Sequence, residues 1–260
     1  LEKLNLFFLH GFLGRPADWG KVLASIPEEK NLRLNVPDYF NMDALNPTRS
    51  LSEWAENFNE WAKRSSQNSG KNIFIGYSLG GRLGLHALAN NPSFWDEVIL
   101  ISTNPGFNDD CAGFEPTSEI RRQRWLTDSF WAQEFLTGSW ETTLRNWNAQ
   151  PIFSGGEDEP RRDEAHYSRD NLSLALTHWS LANQKNMRKL IKEQAHKIHW
   201  LVGSRDEKFV QMAENLKLEN PKLKVEVIDE SSHRVLFDRP KSLAEKIQKL
   251  LKTDEDFEIR

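Results

Sequence analysis

The stretch Ile73-Phe74-Ile75-Gly76-Tyr77-Ser78-Leu79-Gly80 constrains this chain more than any other. An apolar run of strand length ends in a Gly-x-Ser-x-Gly pentapeptide and passes at once into a helix-like stretch, Gly81 to Asn90. A strand that reverses sharply into a helix strains the backbone at its turn residue, and small residues two before and two after let strand and helix pass without collision. The serine is thereby held at the tip of the turn. Its hydroxyl would sit over a helix N-terminus, where unpaired N–H groups stabilise a developing negative charge. The pentapeptide by itself also fits an ordinary Gly-rich turn with a capping serine, so its meaning depends on partners elsewhere.

Short apolar runs alternate with helical patterns on both sides of this turn. Leu4 to Leu9 is long enough for a buried strand and too short for a core helix, and it ends in the glycine-bearing loop His10-Gly11-Phe12-Leu13-Gly14. Pro16 starts a helix running to about Ile26, and Leu32 to Val36 alternates as a second strand. Ser50 and Glu53 have capping-box spacing ahead of Leu51, Trp54, Phe58 and Trp61, a stripe at helical spacing that reads as core packing. Val98 to Ile101 is the next strand. This βαβ rhythm predicts a parallel sheet with helices on both faces.

The rhythm breaks from about Gly106 to Gln194, where helical patterns recur over Glu119–Leu136, Ser139–Asn148, Arg161–Tyr167 and Leu172–Leu190. It resumes with strands at Ile198–Gly203 and Leu223–Ile228 and a closing amphipathic helix through Leu243, Ile247 and Leu251. The acidic end, Thr253 to Glu258, reads as a solvated tail. The simplest organisation is a sheet domain, residues 1–105 and 195–260, interrupted by a helical cap, residues 106–194, lying over the carboxyl ends of the strands. Five of the ten tryptophans, at 125, 131, 140, 147 and 179, fall in that cap. Most of them are expected to hold its helices together, with the rest facing a pocket.

An elbow serine needs a histidine to take its proton and a carboxylate to orient that histidine. Asp206, just past the strand ending near Val202, and His233, just past the strand ending at Ile228, supply both in the order Ser, Asp, His of elbow enzymes. His10, His86, His166, His178, His196 and His199 lack that placement, and no cluster has metal-ligand spacing. The loop after the first strand would supply a second oxyanion donor. Arg82 stands one turn beyond Ser78, where the helix dipole disfavours a cation; it has either an anionic ligand or a structural carboxylate to meet. Arg121, Arg122, Arg124 and Arg169 add bidentate-capable cations to the cap, which suits a substrate with several carboxylates.

A formal net charge of −4 provides no field for a polyanion such as nucleic acid. Cys111 is the only cysteine, which excludes an internal disulfide and fits a reducing cytoplasm. No apolar run approaches the roughly 18 residues of a membrane span, and no leader-like pattern opens the chain.

Over nearly its whole length the chain resembles the α/β-hydrolase-fold 2-succinyl-6-hydroxy-2,4-cyclohexadiene-1-carboxylate synthases of menaquinone biosynthesis. The matching features are His10-Gly11-Phe12, Gly76 to Arg82, Asn104-Pro105-Gly106, Arg121 to Arg124 with Asp128 and Trp131, Phe135-Leu136, Trp147 with Gln150-Pro151-Ile152-Phe153, Arg169, and Gly203 to Phe209. The cap motifs and the Asp-x-Lys-Phe string are more selective than the elbow. The resemblance implies a catalytic triad of Ser78, Asp206 and His233 and oxyanion donors at the backbone of Phe12 and Leu79. It also implies carboxylate binding by Arg82, Arg124 and Arg169, and a pocket shaped by Tyr77 and Trp147. The reaction implied is proton abstraction followed by loss of pyruvate, without cofactor or metal. Hydrolysis of small carboxylated esters, thioesters or C–C bonds is the alternative that the elbow also fits, and a ligand-binding protein that keeps the fold without catalysis is a third. Two places depart from the family pattern: Asn148 stands where an aromatic residue is usual, and Pro37-Asp38-Tyr39-Phe40-Asn41 replaces a Gly-rich loop. The chain opens directly on the Leu4 strand, so about six parallel strands are expected.

Overall fold

The computed structural model describes residues 2–27, 29–67, 69–109, 118–156 and 160–251. Cys111 and the acidic Thr253–Glu258 end lie outside the described residues. Six strands, β1 (Leu4–Leu9), β2 (Leu32–Asn35), β3 (Lys71–Tyr77), β4 (Glu97–Ile101), β5 (Ile198–Gly203) and β6 (Lys224–Ile228), form one sheet in the order β2-β1-β3-β4-β5-β6. All five pairings are parallel. The strand order reverses between β1 and β3, so the crevice beyond their carboxyl ends is where such a sheet takes a ligand.

Each central strand is apolar on both faces, as the period-two geometry of a doubly covered sheet requires. Phe7, Leu9, Phe74, Val98, Leu100 and Trp200 point into one core with α2 (Leu51–Ser65), α3 (Leu79–Asn90) and α8 (Glu207–Glu219). Leu6, Phe8, Ile73, Ile75, Ile99 and Leu201 point into the other, which is closed by Trp19, Val22, Leu243 and Ile247. Those last four come from the short turn before α1 (Gly20–Leu23), from α1 itself and from α10 (Pro240–Leu251). Burial of each large side chain contributes about 1.5–3 kcal/mol before ordering costs. On α2 the expected stripe is inward, with Trp54 stacked on Phe58 at 4.7 Å, and Ser50 and Glu53 form the capping box reciprocally.

Between β4 and β5 the chain builds α4 (Glu119–Thr137), α5 (Trp140–Asn148), α6 (Arg169–His178) and α7 (Arg188–Glu193), with α4 packed along α6. Two of the four expected helices differ from expectation. The Arg161–Tyr167 stretch makes only a single tight turn at Glu164–His166. The Leu172–Leu190 stretch breaks after His178 and resumes as a helix only at Arg188. Ser180 accepts the Ala182 N–H at 3.0 Å and Asn183 Nδ2 donates to the Thr177 carbonyl at 2.8 Å, local bonds that compete with helix continuation. A short helix, α9 (Val235–Asp238), follows β6. Among the described residues no helix is long and apolar enough to cross a membrane.

Candidate active site

Ser78 sits between β3 and α3 with φ 52° and ψ −111°, a left-handed backbone that costs a non-glycine residue about 1–2 kcal/mol. The surrounding glycines are sterically required. A Cβ on Gly76 would lie 2.7 Å from the Gly80 carbonyl, and one on Gly80 would lie 2.5 Å from the His10 carbonyl. The Ser78 N–H is bound to Ile101 O at 2.9 Å, which anchors the turn to the neighbouring strand end and leaves the hydroxyl outward.

His233 and Asp206 arrive from the ends of β6 and β5. The Arg205 N–H donates to Ser231 O at 2.8 Å, joining the two loops, and Asp238 fixes the histidine loop by accepting from Ser232 N (2.8 Å) and Ser232 Oγ (2.6 Å). His233 Nδ1 lies 2.7 Å from Asp206 Oδ2, and His233 Nε2 lies 3.1 Å from Ser78 Oγ. With the carboxylate accepting at Nδ1, Nε2 is left to accept the serine proton. Phe209, Tyr77 and Phe153 wall the imidazole at centroid distances of 4.7, 5.8 and 6.2 Å.

Among the described residues, neither Phe12 N–H nor Leu79 N–H donates to a protein acceptor, and both residues line the cavity into which Ser78 opens. Two donors at a helix N-terminus and an adjacent loop can receive charge on an oxygen. The Phe12 loop is set from behind by His10, which is fully buried, stacked on Tyr39 at 4.3 Å, with Nδ1 2.9 Å from Gly11 O. Burial lowers the His10 pKa to about 4, so the ring is neutral and Nδ1 is its donor. Tyr39, from the loop that departs from the family pattern, donates to His10 O at 2.6 Å.

The cavity holds about 170 Å³ and is walled by strand-end loops below and by the β4–β5 insertion above. Arg82 reaches it from α3. Its Nε donates to Gln184 Oε1 and its Nη2 donates to Trp179 O at 2.7 Å, while among the described residues Nη1 has no acceptor. Burial first, and Arg124 second, lower its pKa to about 9, against the pull of Asp128. Arginine stays charged at neutral pH all the same. Arg124 lines the same cavity, its Nε on Asp128 Oδ2 at 2.8 Å, and Asp128 also accepts from Ser180 Oγ at 2.7 Å. Tyr77, its phenol pKa raised by burial, and Trp147, packed on Phe12 at 4.8 Å, complete the expected lining.

Arg169 is placed differently. It is not among the residues lining the cavity, and its guanidinium donates to Glu164 Oε1 (2.6 Å), Gly138 O (2.8 Å) and Phe135 O (3.2 Å). Asn148 also lies outside the main cavity, where it accepts from Arg234 Nη2 at 2.6 Å. Trp179, one of the five cap tryptophans, lines the cavity; sequence reasoning missed Ser180 and Gln184, which line the cavity or pin Arg82 and which no periodicity marks, because they fall beyond the end of α6. Asp128 was open to detection as the acid four residues beyond Arg124 on one helix.

A wider groove of about 580 Å³ adjoins the cavity and shares Arg124, Gln150, Ile152 and Lys208 with it. A family model described as the alpha/beta hydrolase family matches residues 6–246.

The chain belongs to the alpha/beta hydrolase family.

Within that family it is similar to the 2-succinyl-6-hydroxy-2,4-cyclohexadiene-1-carboxylate synthase of Klebsiella pneumoniae, at 29% identity over 90% of this chain and 88% of the relative. It is also similar to the enzyme of that name from an Enterobacter species, at 28% identity over 95% of this chain and 91% of the relative. Among solved structures, MenH from S. aureus superimposes with a TM-score of 0.83 at 20% identity, covering 98% of this chain and 96% of that one. The superposition supports an alpha/beta hydrolase fold over the whole described chain, insertion included.

Proposed function

We propose that this alpha/beta hydrolase is a 2-succinyl-6-hydroxy-2,4-cyclohexadiene-1-carboxylate synthase, a carbon-oxygen lyase that eliminates pyruvate from a carboxylated cyclohexene intermediate. The observation that carries the reading is Arg82: a buried guanidinium with an uncommitted nitrogen, in the same cavity as the Ser78–His233–Asp206 chain. A plain esterase needs no such cation beside its serine. A polycarboxylate substrate does, and the relatives at 28–29% identity carry the name of such an enzyme.

The chemistry follows from the distances. His233 Nε2 draws the proton from Ser78 Oγ, and Asp206 stabilises the imidazolium. The serine oxygen then takes a proton from a substrate carbon, the released pair becomes a ring double bond, and the C–O bond to the three-carbon unit breaks. That unit leaves as an enolate and takes up the proton held on His233 to become pyruvate, which restores the neutral imidazole. Negative charge that builds on a substrate oxygen is received by Phe12 N–H and Leu79 N–H. Arg82 and Arg124 hold carboxylates, and Tyr77 and Trp147 shape the wall. Arg169, whose Nε donates to Glu164 and whose Nη1 donates to Gly138 and Phe135, acts on the pocket through the α4–α5 junction. We further propose that residues 106–194 act as one cap over the core and that the protein works in the cytoplasm.

The test is pyruvate release from the cyclohexene intermediate by wild type, Ser78→Ala and Arg82→Ala, beside a panel of carboxylated esters. Release by wild type that both variants lose supports the reading. Ester turnover through an acyl-Ser78, with no pyruvate released, replaces it with a hydrolase.

A further inference from the structure

The loop that carries Phe12 is a tight turn closed by Gly14 N–H on Gly11 O at 3.0 Å. Its third residue, Leu13, has φ 57°. That corner of a turn is ordinarily taken by glycine, because a Cβ is disfavoured in the left-handed region. Leu13 is therefore under strain that the turn cannot relieve without opening, and opening it would release Gly11 and re-aim the Phe12 N–H.

The strain is opposed from two directions. From inside, His10 Nδ1 donates to Gly11 O. From outside, the insertion supplies the other contacts. Tyr167 OH donates to Leu13 O at 2.9 Å. Arg162 grips Asp18 through two bonds, Nη1 to Oδ1 at 2.7 Å and Nη2 to Oδ2 at 2.9 Å. Asp18 Oδ2 in turn accepts the Arg15 N–H at 3.1 Å, immediately past the turn. Both side chains of the pair are about nine-tenths buried. The two outside contacts are themselves held on α5, since Trp140 packs on the Tyr167 ring at 5.3 Å and its Nε1 donates to Arg162 O at 2.9 Å.

We propose that the insertion completes the oxyanion hole from outside, with Tyr167 and the Arg162–Asp18 pair as positioning residues that keep the strained Gly11–Gly14 turn closed and the Phe12 N–H aimed at the reacting oxygen. The inference rests on the assignment of Phe12 N–H as an oxyanion donor. A hole built only by the core would work whether or not the insertion is seated. A hole clasped by Tyr167 and Arg162 couples seating of the insertion to catalytic competence.

Two readouts separate this role from general stapling. The first is the division between kcat and KM for pyruvate release. The second is the rate at which a fluorophosphonate labels Ser78, followed by intact-protein mass, because that reaction uses the same donors and needs no natural substrate. Tyr167→Phe removes only the hydroxyl. It should slow both kcat and labelling about tenfold, leaving KM within about twofold and the melting temperature close to wild type. Arg162→Lys, which keeps the charge and loses the fork, should slow labelling less than Asp18→Asn, which cannot form the ion pair.

Labelling of Tyr167→Phe at the wild-type rate overturns the clasp, as does a rise in KM with kcat retained. If wild type releases no pyruvate but labels normally, the reaction assignment falls, and the labelling series still decides the clasp. If wild-type Ser78 does not label at all, the oxyanion assignment falls and the clasp falls with it.

Discussion

The strand-end loops and the β4–β5 insertion both place charged side chains near one cavity, and they spend those charges differently. At the strand ends each polar group passes its bond to the next, from Asp206 to His233 to Ser78, and the chain ends on an oxygen facing the cavity. In the insertion most arginines spend their donors on the protein itself. Arg121 donates to Ala182 O and Gln184 O and pairs with Asp109, and Arg169 donates to Phe135 O, Gly138 O and Glu164. Such arginines satisfy carbonyls freed where helices end, which is structural work. Arg82, although it belongs to the core, is held in place by the insertion through Trp179 and Gln184, and among the described residues its Nη1 has no acceptor. Charge type does not distinguish Arg82 from Arg169; placement does, because Arg82 lines the cavity and Arg169 lies outside it.

The largest test of this contrast is at the serine. Ser78→Ala should lower kcat for pyruvate release by at least about a thousandfold. Ser78→Gly should lose activity equally and gain about 1 kcal/mol of stability in a denaturant titration, because glycine relieves the left-handed strain. The two arginines come next. Arg82→Ala should lower kcat/KM by about a hundredfold, roughly 3 kcal/mol, and also cost about 1–3 kcal/mol of stability, because the buried Trp179 carbonyl and Gln184 lose their donor. Arg169→Ala should cost about as much stability through its own unsatisfied carbonyls while leaving kcat/KM within about threefold. Equal losses of kcat/KM in both variants would erase the distinction drawn between the two regions.

Two buried histidines of the core supply a pH test of intermediate size. Burial lowers the His10 pKa to about 4 and the His86 pKa to about 3, against 6.5 for a free ring. Between those values and 6.5 the unfolded chain binds more protons than the native one, so stability rises with pH through that window and is lost as pH falls. From pH 6.5 to pH 5 each histidine should account for about 2 kcal/mol. Urea titrations over that range should show the slope, and His86→Gln should flatten it by about half; an unchanged slope would mean that other groups set the acid limit. The smallest effect compares helix starts. Ser50 closes a reciprocal capping box on α2, whereas Ser168 makes a single bond to Asn171 N–H at the start of α6. Ser50→Ala should cost about 1 kcal/mol and Ser168→Ala less, by the same titration.

Legibility in the sequence follows the same division. The core could be read because its elements are set by local pattern: strands of alternating cores, glycines at collision points, and Ser78, Asp206 and His233 each directly after a strand. Within the insertion, α4 and α5 were readable as helices. Periodicity failed over Leu172–Leu190, because Ser180 and Asn183 end the helix with side-chain bonds whose benefit depends on what Trp179, Gln184 and Arg82 meet across the pocket. The family pattern named Arg82, Arg124 and Arg169 alike, and only folding separated two cations that line the cavity from one set outside it against Phe135, Gly138 and Glu164.

The sequence alone determined the six parallel strands, the elbow and the order of the three residues that meet there, since each is a property of short stretches of chain. The tertiary structure alone decided which polar groups remain unspent and which hold the Phe12 turn closed. Those outcomes depend on which donor folds opposite which acceptor, as Tyr167 does on Leu13 across 154 positions, and, unlike the strand-end residues that meet at the elbow, neither partner is marked by a local pattern.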